Sequence, residues 1–341
     1  MNKTALLFLT LAASSLVAQQ PATMKATIES VDKMWDRAKH NSLSDLIRFQ
    51  NLWYCCAREG ELPLGGEGKV RILASYDAKV WSPVALIEDA GTDLRDPKFC
   101  LTKEDRLFLV AGGATYRGSQ LMARRPRVVT STDGKHWSPV EKSLADGDWM
   151  CRPILSAADK RYYAVAYNCY PNTGGPKFEP EWSIKLYNSI DAKAWSLTAP
   201  FDVKGMPNET TVRILKNGTM MALVRRESAV PAVGFRGMIG SAPAPYREWT
   251  WKELPVPVRG PNFIELPDGR LVAGSLARGQ SGPCMGLFEM TAEGLTMLLE
   301  LPSGGDCSYP GMMFHEGSLY VSYHSSHEGK TSVYIAKVKI E

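Results

Sequence analysis

Three stretches of this chain repeat one short pattern at nearly equal spacing, and that periodicity limits what the chain can fold into. "SYDAKVWSP" begins at Ser75, "STDGKHWSP" at Ser131 and "SIDAKAWSL" at Ser189, so S-x-D-[GA]-K-x-W-S recurs at separations of 56 and 58 residues. A second signal, a polar turn followed by a short apolar run, occurs six times. Its first large apolar residues are Trp53, Leu107, Tyr162, Met220, Leu271 and Leu319, at intervals of 54, 55, 58, 51 and 48 residues. Each unit has room for several short alternating strands punctuated by Gly, Asp and Asn, and no long helical periodicity interrupts them. Repeats of this length and texture are the signature of a propeller. We therefore expect an all-β chain: a six-bladed β-propeller of four-stranded antiparallel blades.

Within each repeat the Ser and Asp can bond the backbone of a tight hairpin, and the Trp can pack between neighbouring sheets. Asp77, Asp133 and Asp191 thus read as turn staples between outer strands. The later units keep only aromatic residues of the pattern, as in "SAPAPYREWTW" from Ser241.

The first residues, "MNKTALLFLTLAASSLVAQQ", carry Lys3, an apolar run from Ala5 and a small-residue end near Ala18. This is the pattern of a secretory signal peptide spanning 1–19, which leaves 20–341 as a single domain in the periplasm or outside the cell. No later stretch reaches the roughly 18 apolar residues of a membrane span. A net charge of +4 over 341 residues, without a basic block, argues against nucleic acid as partner. The seven cysteines have no C-x-x-C spacing, which argues against a zinc site; an oxidising compartment allows one or two disulfides, and the odd count leaves at least one thiol over if all the others pair. We expect a monomer.

In antiparallel blades the start of the innermost strand and the end of the second strand lie on one face near the axis. The innermost starts fall at Asp45, at Arg95 and Asp96, at Arg152, at Asn208 and Glu209, at Asn262 and at Tyr309. Among second-strand ends, Arg58, Arg225 and Arg278 share one parity and are expected to point to the same side. His324 ends the last of them, and His40 and His327 are further candidates for sugar contact.

Arginines opposite a carboxylate and a tyrosine, in a six-unit propeller with shortened Asp-boxes, resemble the sialidase (neuraminidase) superfamily. That family clamps a substrate carboxylate with three arginines and uses a Tyr nucleophile, a Glu base and an Asp acid/base. The resemblance implies Tyr309 as nucleophile, Glu209, 16 residues before Arg225, as its base, and Asp96 as acid/base, with Glu59 second and Glu61 also competing. Arg58, Arg225 and Arg278 would form the clamp, and Arg95, Arg152, Asp45, Asn262 and His324 would complete the substrate-binding set. A phenol suits a carbon that bears a carboxylate, because that carboxylate repels an anionic nucleophile. The family's R-I-P motif in the first blade is absent; "SLSDLIRF" stands there, and Arg58 lies one strand later. The implied activity is a cofactor-free exo-glycosidase acting on a terminal, acidic sugar of a glycan.

Two other readings stand beside it. "LRDP" is also similar to a motif of five-bladed arabinanases and fructosidases, which implies Asp45 as base or nucleophile, Asp96 as stabiliser and Glu209 as acid. A non-catalytic glycan-binding propeller is the third, disfavoured by the density of titratable groups on one face. The N-terminal "ATIESVDKMW" is expected to close the first blade beside the C-terminal "TSVYIAKVKIE". Protein recovered after export should begin near Gln19 or Gln20 by N-terminal sequencing; an intact Met1 on exported protein contradicts the signal peptide.

Overall fold

The computed structural model describes residues 24–168, 182–228, 235–279 and 281–341. The expected signal peptide and Cys169 lie outside them. The described residues form six antiparallel sheets and contain no helix; none of their segments is a helix able to cross a membrane. Blade one runs His40–Phe49, Leu52–Gly60, Lys69–Ser75 and Ser82–Ile87, and blade two Asp93–Leu101, Leu107–Arg117, Gln120–Ser131 and Glu141–Lys142. In blade three the innermost strand comes in two pieces, Asp148–Met150 and Ile154–Leu155, before Tyr162–Asn168, Ser183–Ser189 and Ser196–Phe201. Pro153, which has no N–H to give the ladder, sits in that break beside Arg152. Blade four is Pro207–Ile214, Met220–Arg226, Arg236–Ala242 and Thr250–Pro257; blade five is Asn262–Glu265, Leu271–Gly279, Gly282–Thr291 and Gly294–Leu301. Blade six is Ser308–His315, Ser318–Ser325 and Ser332–Ile340.

The fourth strand of blade six comes from the other end of the chain. Ala26–Trp35 pairs antiparallel with Ser332–Ile340, Ala26 opposite Ile340 and Trp35 opposite Val333. The pairing is the one expected, but the strand completes the last blade rather than the first. Successive blades touch all the way round, the innermost strand of the first against that of the sixth included.

Apolar burial lies between blades. Ile72, Leu94 and Leu109 fill the space between blades one and two; Phe108, Met150 and Tyr162 that between two and three; Ile184, Val212 and Met220 that between three and four. Leu223, Phe263 and Ala273 join four to five, Val272, Leu319 and Tyr334 join five to six, and Trp35, Leu46, Trp53 and Val333 join six to one. Period-two alternation gives each sheet two apolar faces, one for each neighbour.

The repeated motif explains itself at the turns between third and fourth strands. Asp133 Oδ1 accepts from the backbone N–H of Lys135 and His136, both at 2.8 Å, and from Ser131 Oγ at 3.1 Å. Asp77 and Asp191 do the same for Lys79, Val80, Lys193 and Ala194 at 2.8–3.0 Å. The residue after each Asp has positive φ, 59° at Ala78, 73° at Gly134 and 59° at Ala192, which is why the pattern demands a small residue there. Three positions on, Trp81, Trp137 and Trp195 each enter the interface with the preceding blade. Blade four keeps this geometry without the Asp: Tyr246 has φ 64°, and Trp249, three residues on, donates to the Tyr246 carbonyl at 3.0 Å.

No disulfide forms among the described cysteines; all six are buried free thiols. Cys55, Cys56, Cys100, Cys151 and Cys284 sit in the packed interfaces, where each acts as a small apolar side chain.

The ring depends on the N-terminal strand, which buries Met34 and Trp35 and covers the edge of Ser332–Ile340. A chain beginning at Met24 should melt with one beginning at Gln20. One beginning at Asp36 forfeits several kcal/mol of apolar burial and should melt at lower temperature or aggregate through the exposed edge. Calorimetry and gel filtration read both effects.

Candidate active site

Four of the six innermost strands carry a bulge where they approach the axis. The register slips between Ser42 and Asp45, between Arg95 and Lys98, between Pro207 and Thr210, and between Ser308 and Gly311. The extra residues include Asp96, Glu209 and Tyr309. A bulge re-aims side chains out of the pleat, and here φ is 51° at Asp96 and 54° at Tyr309. Positive φ at a non-glycine residue costs on the order of 1–3 kcal/mol and is held by the surroundings. Around these residues lies a small, partly open cavity lined by Asp96, Lys98, Arg152, Glu209, Thr210 and Tyr309 among others.

Tyr309 and Glu209 meet directly. The Tyr309 hydroxyl donates a short hydrogen bond to Glu209 Oε1. Arg225 Nη1 donates to Glu209 Oε2 at 2.7 Å and to the Tyr309 oxygen at 3.3 Å, and the Gly260 N–H reaches Glu209 Oε2 at 3.1 Å. Glu227 takes the other arm of Arg225 at 2.7 Å and is itself bonded by Asn208 at 2.6 Å. Burial, and then the charge of Glu209, push the Tyr309 phenol well above the usual tyrosine range, against the opposing pull of Arg225. Burial also works to raise the Glu209 carboxyl, but Arg225, with the bonds from Tyr309 and Gly260, outweighs it and holds the group below the usual carboxylate range. The phenol is thus protonated at rest, with a carboxylate ready to take its proton and a guanidinium placed to receive the resulting phenolate.

Across the cavity, Asp96 Oδ1 pairs with Lys98 Nζ at 2.5 Å, and that ammonium lies 5.7 Å from the centre of the Tyr309 ring. Asp96, Glu209, Tyr309 and Arg225 are therefore brought to one place, as the sequence implies.

The three-arginine clamp is not. Arg58 is fully buried, donating to Asp93 Oδ1 at 2.8 Å and to the carbonyls of Leu62 and Gly65 at 2.8 and 3.3 Å. It staples the loop after its strand instead of facing the cavity. Arg278 is exposed at the end of its strand, opposite Pro283. Shared parity placed neither beside Arg225, because partners from other strands decide where a guanidinium goes. Arg95 lies over the Trp149 ring at 4.8 Å with Asp93 at 3.6 Å.

Other expected binding residues brace the axis. Arg152 forks onto Asp45 at 2.6 and 2.7 Å, and the Phe99 N–H also donates to Asp45 at 2.8 Å. Asp45 is fully buried and both its oxygens are engaged, which removes it as a base or nucleophile. Asn262 bonds the Pro310 carbonyl and accepts from Arg213, linking three blades. His324 and His40 face the two oxygens of Asp306 at 3.4 and 3.3 Å, and the His324 ring lies 5.8 Å from that of Tyr309. Glu59 lines a separate groove, bonded to Trp35 at 3.0 Å and to Arg71 at 2.8 Å; Glu61 is exposed and paired with Lys39. Both carboxylates leave the list of acid/base candidates.

Sequence reasoning missed Lys98, Glu227 and Asp306. Lys98 had a readable signal: a lysine between Pro97 and Phe99 in a buried innermost strand must have a partner.

The architecture is the six-bladed propeller shared by sialidases and arabinofuranosidases. No family model and no curated protein matches the sequence. Among solved structures, a protein of unknown function from Dyadobacter fermentans superposes with a TM-score of 0.77 at 15% identity, over 93% of this chain and 99% of that one. The α-L-arabinofuranosidase of Fusarium graminearum, solved with arabinobiose, gives 0.68 at 15% identity, covering 91% of this chain and 97% of that. The sialidase of Trypanosoma rangeli, solved with sialic acid, gives 0.68 at 12% identity over 92% of this chain and 59% of its own. These likenesses establish the fold.

If Asp45 is structural, Asp45→Asn leaves Arg152 buried without its counter-charge. Stability in urea should fall by about 3–5 kcal/mol, while the folded fraction keeps its activity. Loss of turnover in a variant of unchanged stability would return Asp45 to the chemistry.

Proposed function

We propose that the chain is an exo-acting, retaining glycoside hydrolase whose nucleophile is Tyr309. The observation that carries this reading is the Tyr309–Glu209–Arg225 contact at the axial cavity, with Asp96 lining the same cavity. In the first step the Tyr309 oxygen attacks the anomeric carbon while its proton passes to Glu209; the glycosidic bond breaks and the leaving oxygen takes the proton of Asp96, which enters this step as the carboxylic acid with Oδ1 accepting from Lys98. In the second, Asp96 takes a proton from water, the water oxygen displaces tyrosine from the anomeric carbon, and Glu209 returns the proton to the phenolate. Two displacements at one carbon retain the anomeric configuration.

The buried Arg152–Asp45 pair at the cavity favours a chain end over a chain interior. The acidic-sugar expectation loses its clamp, since Arg225 already serves Glu209 and Glu227 and neither Arg58 nor Arg278 joins it. The substrate is thus the terminal sugar of a glycan, and the panel of test substrates must include neutral furanosides as well as sialosides. We place the protein outside the cytoplasm and acting as a monomer.

The purified protein should hydrolyse at least one of a panel of aryl α-L-arabinofuranosides, sialosides and hexosides, with the anomer retained by NMR. Tyr309→Phe should keep the fold and substrate affinity but lose kcat by several orders of magnitude. Near wild-type kcat in Tyr309→Phe overturns the mechanism; binding of oligosaccharides without turnover of any aryl glycoside or of the bound glycan favours a binding module.

A further inference from the structure

Lys98 is a costly residue to place where it is. Its side chain is 11% exposed, in the innermost strand of blade two, and a buried ammonium must be paired to be tolerated. Its contacts are Asp96 Oδ1 and, at 3.3 Å, the Pro97 carbonyl. The other cations near the axial site are bound elsewhere: Arg152 to Asp45, and Arg225 to Glu209 and Glu227. Lys98 alone is spent on the candidate acid/base.

The geometry of that pair has a chemical consequence. The bulge and the φ of 51° turn Asp96 toward the cavity. Lys98 fixes Oδ1, and Oδ2 makes no hydrogen bond to the described protein. A carboxyl group tied at one oxygen presents the other in a set direction, as proton transfer to a leaving oxygen requires.

Resting on the mechanism above, we propose that Lys98 is the positioning residue of the acid/base: by holding Asp96 Oδ1 it aims Oδ2 at the glycosidic oxygen. The bland alternative is an ion pair that merely neutralises two buried charges. The two differ in how they depend on the leaving group. A 2,4-dinitrophenolate departs without a proton, whereas phenolate needs one in the transition state, and kcat/KM reports the steps up to and including bond breaking, not the later hydrolysis of the intermediate.

The experiment compares kcat/KM for the 2,4-dinitrophenyl and phenyl glycosides of the sugar that the wild type hydrolyses. It uses the wild type, Asp96→Asn, Lys98→Met and Lys98→Gln. On the phenyl substrate Lys98→Met should follow Asp96→Asn, with a loss on the order of 10²-fold or more. On the dinitrophenyl substrate both should stay within about threefold of wild type, the scatter expected when acid catalysis is not needed. Equal losses on both substrates, or no loss on either, overturn the proposal while leaving the Tyr309 mechanism intact. Lys98→Gln carries the same test if Lys98→Met does not fold, and failure of both to fold assigns Lys98 to structure. A wild type inactive on the whole panel overturns the mechanism and this inference with it.

Discussion

Every blade of this protein hides its two faces against its neighbours, and the rest of the structure follows from that constraint. A single four-stranded sheet exposes both apolar faces to water, so the stack is stable only when it closes on itself. Closure comes from hydrogen bonding between the two ends of the chain, Ala26–Trp35 on Ser332–Ile340, and from the Trp35, Trp53 and Val333 cluster beneath it. The turn tryptophans add to the same seams: Trp81, Trp137, Trp195 and Trp249 each reach into the interface with the preceding blade. Apolar burial is concentrated between the blades, and the axis takes charged groups.

The axis must then be filled by polar groups that satisfy one another. Arg152 with Asp45, and Asn262 with Arg213 and the Pro310 carbonyl, are the permanent solutions. Where Gly311 allows the innermost strands of blades six and one to approach, a Cβ would lie 2.3 Å from the Leu46 nitrogen. At the mouth the pairing is less final. Tyr309 shares a proton-transfer contact with Glu209, and Asp96 keeps one oxygen toward a cavity. One fold therefore holds residues that brace the ring beside residues that line a cavity, and the bonds each group makes, not its burial, distinguish them.

The bulges are the device that makes this separation. A regular strand would send alternate side chains into the two neighbouring interfaces, leaving none pointing at a ligand. An inserted pair such as Asp96–Pro97 or Tyr309–Pro310 interrupts that alternation and aims a functional group out of the sheet. The proline of each pair also gives up a backbone donor where the ladder is broken, so the interruption strands one fewer N–H.

The sequence by itself determined the number of blades, the position of every second strand, and the pairing of the two chain ends. Turn chemistry and period-two alternation are local and survive in linear order. Trp53, Leu107, Tyr162, Met220, Leu271 and Leu319 do head the second strands, and Asp45, Asp96, Arg152, Glu209, Asn262 and Tyr309 do lie at the inner ones. Which of those axial residues brace and which face a ligand was decided only in three dimensions. Parity suggested that Arg58 and Arg278 would join Arg225, yet Asp93 captured the first and the second ended in solvent. Asp45 was legible as axial but not as the buried counter-ion of an arginine 107 residues away. Lys98 was passed over because its meaning lies in its distance to Asp96 and to the Tyr309 ring. A charge takes its role from the partner that neutralises it, and in a closed ring that partner comes from another blade.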